Sequence, residues 1–124
     1  DKKEHQGKYK SSYADLKKNL KMLKLNNTKI IKIDLVKNLR SFFNKNKWLR
    51  FKYVFIDCGT EKVLENAVPL FWSRLLKNGV MILDHYNNPT SPSESYIIDS
   101  VIGSNSIEKF HFSDHPSAFI IKKK

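Results

Sequence analysis

Residues Tyr53 to Asn87 read YVFIDCGTEKVLENAVPLFWSRLLKNGVMILDHYN. The run is entered through Phe51-Lys52-Tyr53-Val54-Phe55-Ile56, nearly continuous in apolar residues and stopping at Asp57, the pattern of a strand buried on both faces in the middle of a sheet. From Thr60 to Leu76 the residues Val63, Leu64, Ala67, Val68, Leu70, Phe71 and Leu75 trace a wide helical stripe, with Pro69 an irregularity inside it. Asn78-Gly79 predicts a turn, and Val80-Met81-Ile82-Leu83 a second buried strand that stops at Asp84. Strand, helix, strand, each strand followed by a loop holding a carboxylate, is what a right-handed βαβ unit requires.

Upstream, residues 1–10 are polar and read as a loop. Ser12 and Asp15 resemble a capping box, and Tyr13, Leu16, Leu20 and Leu23 recur at helical spacing, predicting a helix from Tyr13 to Leu25 closed by Asn26-Asn27. Lys29 to Ile33 is a β-branched run ending at Asp34 and predicts a strand, and Leu35 to Asn44 a short helix. Downstream, Asn87 to Ser93 is a loop. Ser93 or Ser95 caps a helix through Tyr96, Ile97, Ile98, Val101 and Ile102 that ends at Gly103. Ile107 to Phe112 and Ala118 to Ile121 are strands joined by only Ser113 to Pro116, which makes them an antiparallel pair. The predicted order is α-β-α-β-α-β-α-β-β in a single α/β domain over residues 1–124.

That length suits one core. An apolar fraction of 40%, with eight Phe, five Tyr and two Trp, supplies it. Net charge is +11, yet no Arg-rich stripe or basic helix with interleaved aromatics accompanies it, and Lys, Asn and Ile are abundant throughout, so nucleic acid is not the expected partner. Cys58 is the only cysteine, which excludes an intramolecular disulfide and a thiolate zinc cluster and fits a reducing cytoplasm. No run is long enough to span a membrane, and the start lacks the apolar stretch of a signal peptide, so a soluble, cytoplasmic protein is expected.

Open parallel sheets bind ligands beyond the carboxyl ends of their strands. Asp34, Asp57 and Asp84 all occupy that position, although an Asp there also serves as an ordinary strand terminator or helix cap. Asp57, after six largely apolar residues, is expected to be partly desolvated, which makes it the leading general base or metal ligand. Asp84 and His85 add a carboxylate and an imidazole on the neighbouring strand end, ~5 Å away in a parallel pair, near enough to share one divalent cation. Mg²⁺ suits carboxylates, and His85 widens the choice toward Mn²⁺. Cys58 has no evident base to activate it, His111 and His115 fall in the terminal hairpin, and neither GxGxxG nor GxxxxGK[ST] occurs.

The stretch Tyr53 to Asn87 resembles the fourth strand, following helix and fifth strand of class I S-adenosylmethionine-dependent methyltransferases, and within them the macrocin O-methyltransferase group. That group has Asp-x-Asp at the end of the fourth strand, a Leu-x-Pro-Gly-Gly turn, and Asp-Asp-Tyr at the end of the fifth. Here the counterparts are Asp57-Cys58-Gly59, Leu75-Leu76-Lys77-Asn78-Gly79 and Asp84-His85-Tyr86. HQGKYKSSYADLKKNLKMLKL is similar to the linker and helix before the third strand, and DHPSAFIIKK to the last strand.

The resemblance implies a Rossmann-like methyltransferase sheet lacking its first two strands, mostly parallel, with a C-terminal antiparallel hairpin. The strand order of such folds is 3-2-1-4-5-7-6. It further implies S-adenosylmethionine as cofactor, contacted by Asp34 near the adenine and by Asp57, with Asp57 also the general base toward a small hydroxylated, sugar-like acceptor. Asp57, Asp84 and His85 would hold a metal such as Mg²⁺. Gly59 and His85 depart from the group by replacing two carboxylates, and the glycine-rich first strand and acidic second strand have no counterpart, so the chain is expected to be inactive alone. Removing two central strands would leave exposed strand edges, and homo-oligomers formed through them are expected. The cephalosporin-hydroxylase-like group shares the same scaffold. The alternative from another class is a decayed methyltransferase fold that binds nucleic acid or an acidic partner.

Overall fold

The structure is a computed structural model of the chain and describes residues 11–58, 60–89, 92–103, 107–109 and 117–123. The chain divides into two compact units, residues 1–34 and 35–124.

In the first unit, α1 (Tyr13–Met22) starts where the Ser12 hydroxyl accepts the Asp15 N–H at 3.0 Å, the predicted cap. It ends three residues before the predicted Leu25 because Lys24 takes a left-handed conformation at φ 55. Leu25 N–H then reaches back to the Leu20 carbonyl and Lys24 N–H to that of Lys21, a Schellman closure that needs no help from Asn26-Asn27. Lys29–Ile33 does not form the predicted strand. The local β-propensity is real, but a strand exists only as part of a ladder, and no described strand pairs with it.

The second unit is a four-stranded sheet in the order β1-β2-β4-β3, with helices packed on one face. Its elements are α2 (Leu39–Lys45), β1 (Phe51–Ile56), α3 (Glu61–Arg74), β2 (Leu75–Leu83), α4 (Pro92–Ile102), β3 (Ile107–Lys109) and β4 (Ala118–Ile121). β1 and β2 are parallel; β4 runs antiparallel to both β2 and β3. The α/β class, the crossover through α3 and the C-terminal antiparallel pair match expectation, while the parallel part of the sheet is the single pair β1 and β2. The Ser113 to Pro116 connection, Phe112, His111 and His115 lie outside the described residues.

The structure departs from the sequence expectations at three further points. The helix predicted from Leu35 begins only at Leu39, because residues 35–38 form a turn whose Leu35 carbonyl accepts a hydrogen bond from the Asn66 side chain. Asn78-Gly79 does not end anything: it lies inside β2, in a wide bulge that sets Phe51 opposite Leu75 and Tyr53 opposite Val80. Asn78 sits at φ 58, its N–H donates to the Lys122 carbonyl at 2.7 Å, and a Cβ on Gly79 would lie 2.8 Å from the Leu76 carbonyl oxygen. The pair therefore serves as a bulge, the other use of turn residues in a strand. Finally, β1 is the outermost strand rather than a central one. Val54 and Ile56 are buried, while Tyr53 and Phe55 are 67% and 60% exposed.

The core forms where Val54, Ile56, Met81, Leu83, Ala118 and Ile120 meet Leu64 and Val68 of α3 and Ile97 and Ile98 of α4. A second cluster gathers Leu39, Phe43 and Ala67, with Phe51 and Phe71 set edge-on or tilted around Phe43 and each other at 5.2 to 6.1 Å. α3 runs through Pro69, whose missing N–H would have bonded the carbonyl of Glu65, an exposed residue. Cations close the ends of the elements: Lys122 Nζ donates to the Trp72 and Leu75 carbonyls at 2.8 and 2.9 Å, at the C-terminus of α3. No described helix is long and apolar enough to cross a membrane.

Candidate functional site

The parallel register decides which residues meet. Ile56 pairs with Leu83, so the residues that follow, Asp57 and Asp84, leave adjacent strand ends side by side, and the Asp84 N–H still donates to the Ile56 carbonyl at 3.1 Å. Asp57, Asp84 and His85 each present a ligand atom within 4.8 Å of the others. His85 Nδ1 lies 3.0 Å from Asp84 Oδ2, and both side chains are about a third exposed. Asp57 is exposed, contrary to the expected partial desolvation, because the chain has left the sheet by that point and no helix covers it. Two carboxylates and an imidazole, open to solvent at a sheet's carboxyl edge, are a donor set suited to a hard or borderline divalent cation.

Asp34 is not one of these. It belongs to the first unit, is exposed, and follows a segment that forms no strand. Gly59 lies outside the described residues.

The loop that carries Asp84 and His85 is clamped by one face of α4. His85 N–H donates to Glu94 Oε1 at 3.2 Å, Asn87 N–H to Ser95 Oγ at 2.6 Å, and the buried Tyr86 hydroxyl to Asp99 Oδ1 at 2.8 Å. Ser117, just before β4, donates its hydroxyl to the Asp84 carbonyl at 2.9 Å. Burial, then the hydrogen bond and charge of Asp99, push the Tyr86 phenol up to about 12. Tyr86 is thus a structural anchor and not a proton donor at neutral pH.

Sequence reasoning missed Glu94. It is fully buried, and its Oε2 has no hydrogen-bond partner among the described residues. Burial raises its pKa most; the His85 backbone bond and imidazole lower it, and the Asp84 and Asp57 charges raise it. A signal was present: Glu94, Ile97, Ile98 and Val101 fall at i, i+3, i+4 and i+7, so a carboxylate sits on the apolar stripe of its helix. Cys58 turns inward against the core, and burial, followed by the Glu94 and Asp57 charges, pushes its thiol up to about 11. At neutral pH it stays a thiol, which agrees with the absence of an activating base.

No protein-family model and no curated protein matches the chain. Among solved structures, the apo structure of CalS11, a TDP-rhamnose 3'-O-methyltransferase of calicheamicin biosynthesis, superimposes with a TM-score of 0.73 at 16% identity over 94% of this chain and 55% of its own. A second crystal structure of CalS11, described as a calicheamicin methyltransferase, gives 0.76 at 16% identity over 94% of this chain and 50% of that one. This chain thus spans about half the length of the structures it matches, and what it shares with them is the methyltransferase fold.

Proposed function

We propose that the chain forms the acceptor-side part of an S-adenosylmethionine-dependent O-methyltransferase acting on a small hydroxylated, sugar-like acceptor, in the manner of the macrocin O-methyltransferase group. The observation that carries the reading is the gathering of Asp57, Asp84 and His85 at adjacent strand ends of a methyltransferase fold. CalS11 is a methyltransferase of a nucleotide-linked rhamnose, which supports a sugar hydroxyl as acceptor.

Methyl transfer to oxygen asks for alignment of an acceptor oxygen with the donor and for removal of one proton. Exposed Asp57 takes the second role, accepting the acceptor hydroxyl proton. Asp84, fixed through its backbone to Ile56 and Ser117, and His85, fixed through its backbone to Glu94, orient the acceptor beside it. The donor set fits Mg²⁺ or Mn²⁺, and buried Glu94, one hydrogen bond behind His85, has an oxygen without a partner among the described residues. Such an ion, held by Asp57, Asp84 and His85, would supply Lewis acidity toward the acceptor oxygen.

For the cofactor, Asp57 is the proposed contact within the second unit. With no GxGxxG in the sequence, the remaining contacts fall to residues outside this chain, and the chain alone transfers no methyl group. Titration calorimetry of S-adenosylhomocysteine, with and without Mg²⁺, tests this on the chain and on a form extended upstream along its genomic reading frame. Binding by the extended form only is the expected result. Binding by neither refutes the enzyme reading and favours a fold retained as an interaction module.

A further inference from the structure

Glu94 stands outside the group of three ligands within 4.8 Å, one hydrogen bond behind His85, in the first turn of α4. A first-turn glutamate is ordinarily an exposed partner of the helix dipole, with both oxygens in water. Here the side chain is fully buried, one oxygen is bonded to the His85 amide, and the other has no partner among the described residues. The charges within its electrostatic reach include two further carboxylates, Asp57 and Asp84, and the His85 imidazole. A buried carboxylate left half-satisfied beside two like charges is costly, and it is relieved either by taking up a proton or by a group of opposite charge that completes it.

We infer that Glu94 is the rear carboxylate of a divalent-cation centre whose front is Asp57, Asp84 and His85. It supplies the negative charge that the imidazole of His85 does not, and through the His85 amide it holds that residue in place as a ligand. The inference rests on the proposed cation site. Its ligand is a hard or borderline divalent ion, Mg²⁺ or Mn²⁺, and Glu94 is a positioning residue rather than a catalytic one. Outer-sphere partners of this kind typically change metal affinity by about 10- to 100-fold when removed.

Mn²⁺ titration calorimetry and thermal unfolding with and without Mn²⁺ test it on the wild type, Glu94→Gln and Asp84→Asn. Gln keeps an oxygen for the His85 amide and removes the charge. The expected pattern is Mn²⁺ binding by the wild type and affinity weaker by about 10-fold or more in E94Q, whose metal-free melting point is equal to or above the wild type's. A purely structural glutamate would give the opposite: lower metal-free stability with affinity intact. E94Q binding within about twofold of the wild type while D84N fails to bind overturns the role of Glu94 and leaves the cation site standing. No Mn²⁺ binding by the wild type overturns both. Should E94Q not fold, the wild type itself gives the answer by carboxyl ¹³C resonances under Mg²⁺ titration. Glu94 should move together with Asp57 and Asp84, and a stationary Glu94 beside two moving aspartates refutes the inference.

Discussion

Substituting Tyr86 by Phe removes one oxygen atom, and with it a pH dependence that the structure sets in sign and size. The Tyr86 ring is 6% exposed, and its hydroxyl donates to Asp99 Oδ1 at 2.8 Å. Its pKa rises from the ordinary 10.0 to about 12 in the folded protein, chiefly through burial and secondly through Asp99. A group whose folded pKa is raised contributes stability that is fully present below the unfolded pKa, near 10, and lost as pH rises through the folded pKa, near 12. At about 1.36 kcal/mol for each pH unit, the rise from 10.0 to about 12 corresponds to about 2.7 kcal/mol, of which roughly 2 kcal/mol is lost by about pH 11.5. At pH 8 the phenylalanine variant should be less stable by about 1.5 to 3 kcal/mol, the worth of a hydrogen bond to a carboxylate. The gap between wild type and variant should therefore close between about pH 10 and 11.5, whatever the many lysines do, since they titrate in both proteins. Urea unfolding followed by the fluorescence of Trp72, which packs against the core, measures the gap at each pH. A gap that stays constant over this range would show that Tyr86 is not held protonated by its surroundings, and that α4 does not clamp the loop through it.

Arg74 offers a test of the second cluster. Its guanidinium lies 4.6 Å from the Phe43 ring centroid and donates to the Phe43 and Lys47 carbonyls at 3.1 and 3.2 Å, so Arg74→Ala should cost about 3 kcal/mol in urea unfolding, with Arg74→Lys recovering part of it. A loss under about 0.5 kcal/mol would mean that water replaces these contacts freely. Cys58, with its thiol near 11 against an ordinary 9.0, should be alkylated by iodoacetamide at pH 8 about 100-fold more slowly in the folded protein than in urea, and equal rates would contradict its placement. β1 is the outer strand of the described sheet and shows Tyr53 and Phe55 to solvent, so we propose that it pairs with a second copy of the chain. Sedimentation should show self-association that Phe55→Lys weakens, and a wild-type chain that stays monomeric at tens of micromolar would refute it.

What the sequence revealed, and what it hid, divides along a physical line. β1 and α3 were legible within a residue or two, and α4 at its C-terminal end, because each carries its own signal: an apolar run, a helical stripe, a closing glycine; α4 starts at Pro92, so Ser93 and Ser95 lie inside it and neither is its cap. Lys29–Ile33 carries such a signal too, but a strand is made by its neighbour, which no local pattern contains. Asn78-Gly79 misled for a related reason, since the dipeptide specifies a backbone conformation and only the partner strand decides whether that makes a turn or a bulge. Likewise β1 is apolar enough for the middle of a sheet, yet its position at the edge is a fact of pairing. The meeting of Asp57, Asp84 and His85 at the candidate site was legible because strand ends are visible in sequence. Glu94 was not, because its meaning comes from burial.

The way in which the site residues separate follows from alternation along β1. Ile56 faces the helices and is buried, Asp57 is exposed, and Cys58 turns back against the core. Two neighbouring residues thereby receive opposite chemistry: a carboxylate open to solvent, and a thiol held protonated chiefly by burial and partly by Glu94. β2 repeats the arrangement, with Leu83 buried and Asp84 beyond it partly exposed. A slip of one residue in the β1 pairing would place Cys58 at the open edge and drive Asp57 inward, toward the buried carboxyl of Glu94. The parallel register from Tyr53 to Ile56 is therefore under two constraints at once, the packing of Val54 and Ile56 and the electrostatics of the strand ends, and both select the same pairing.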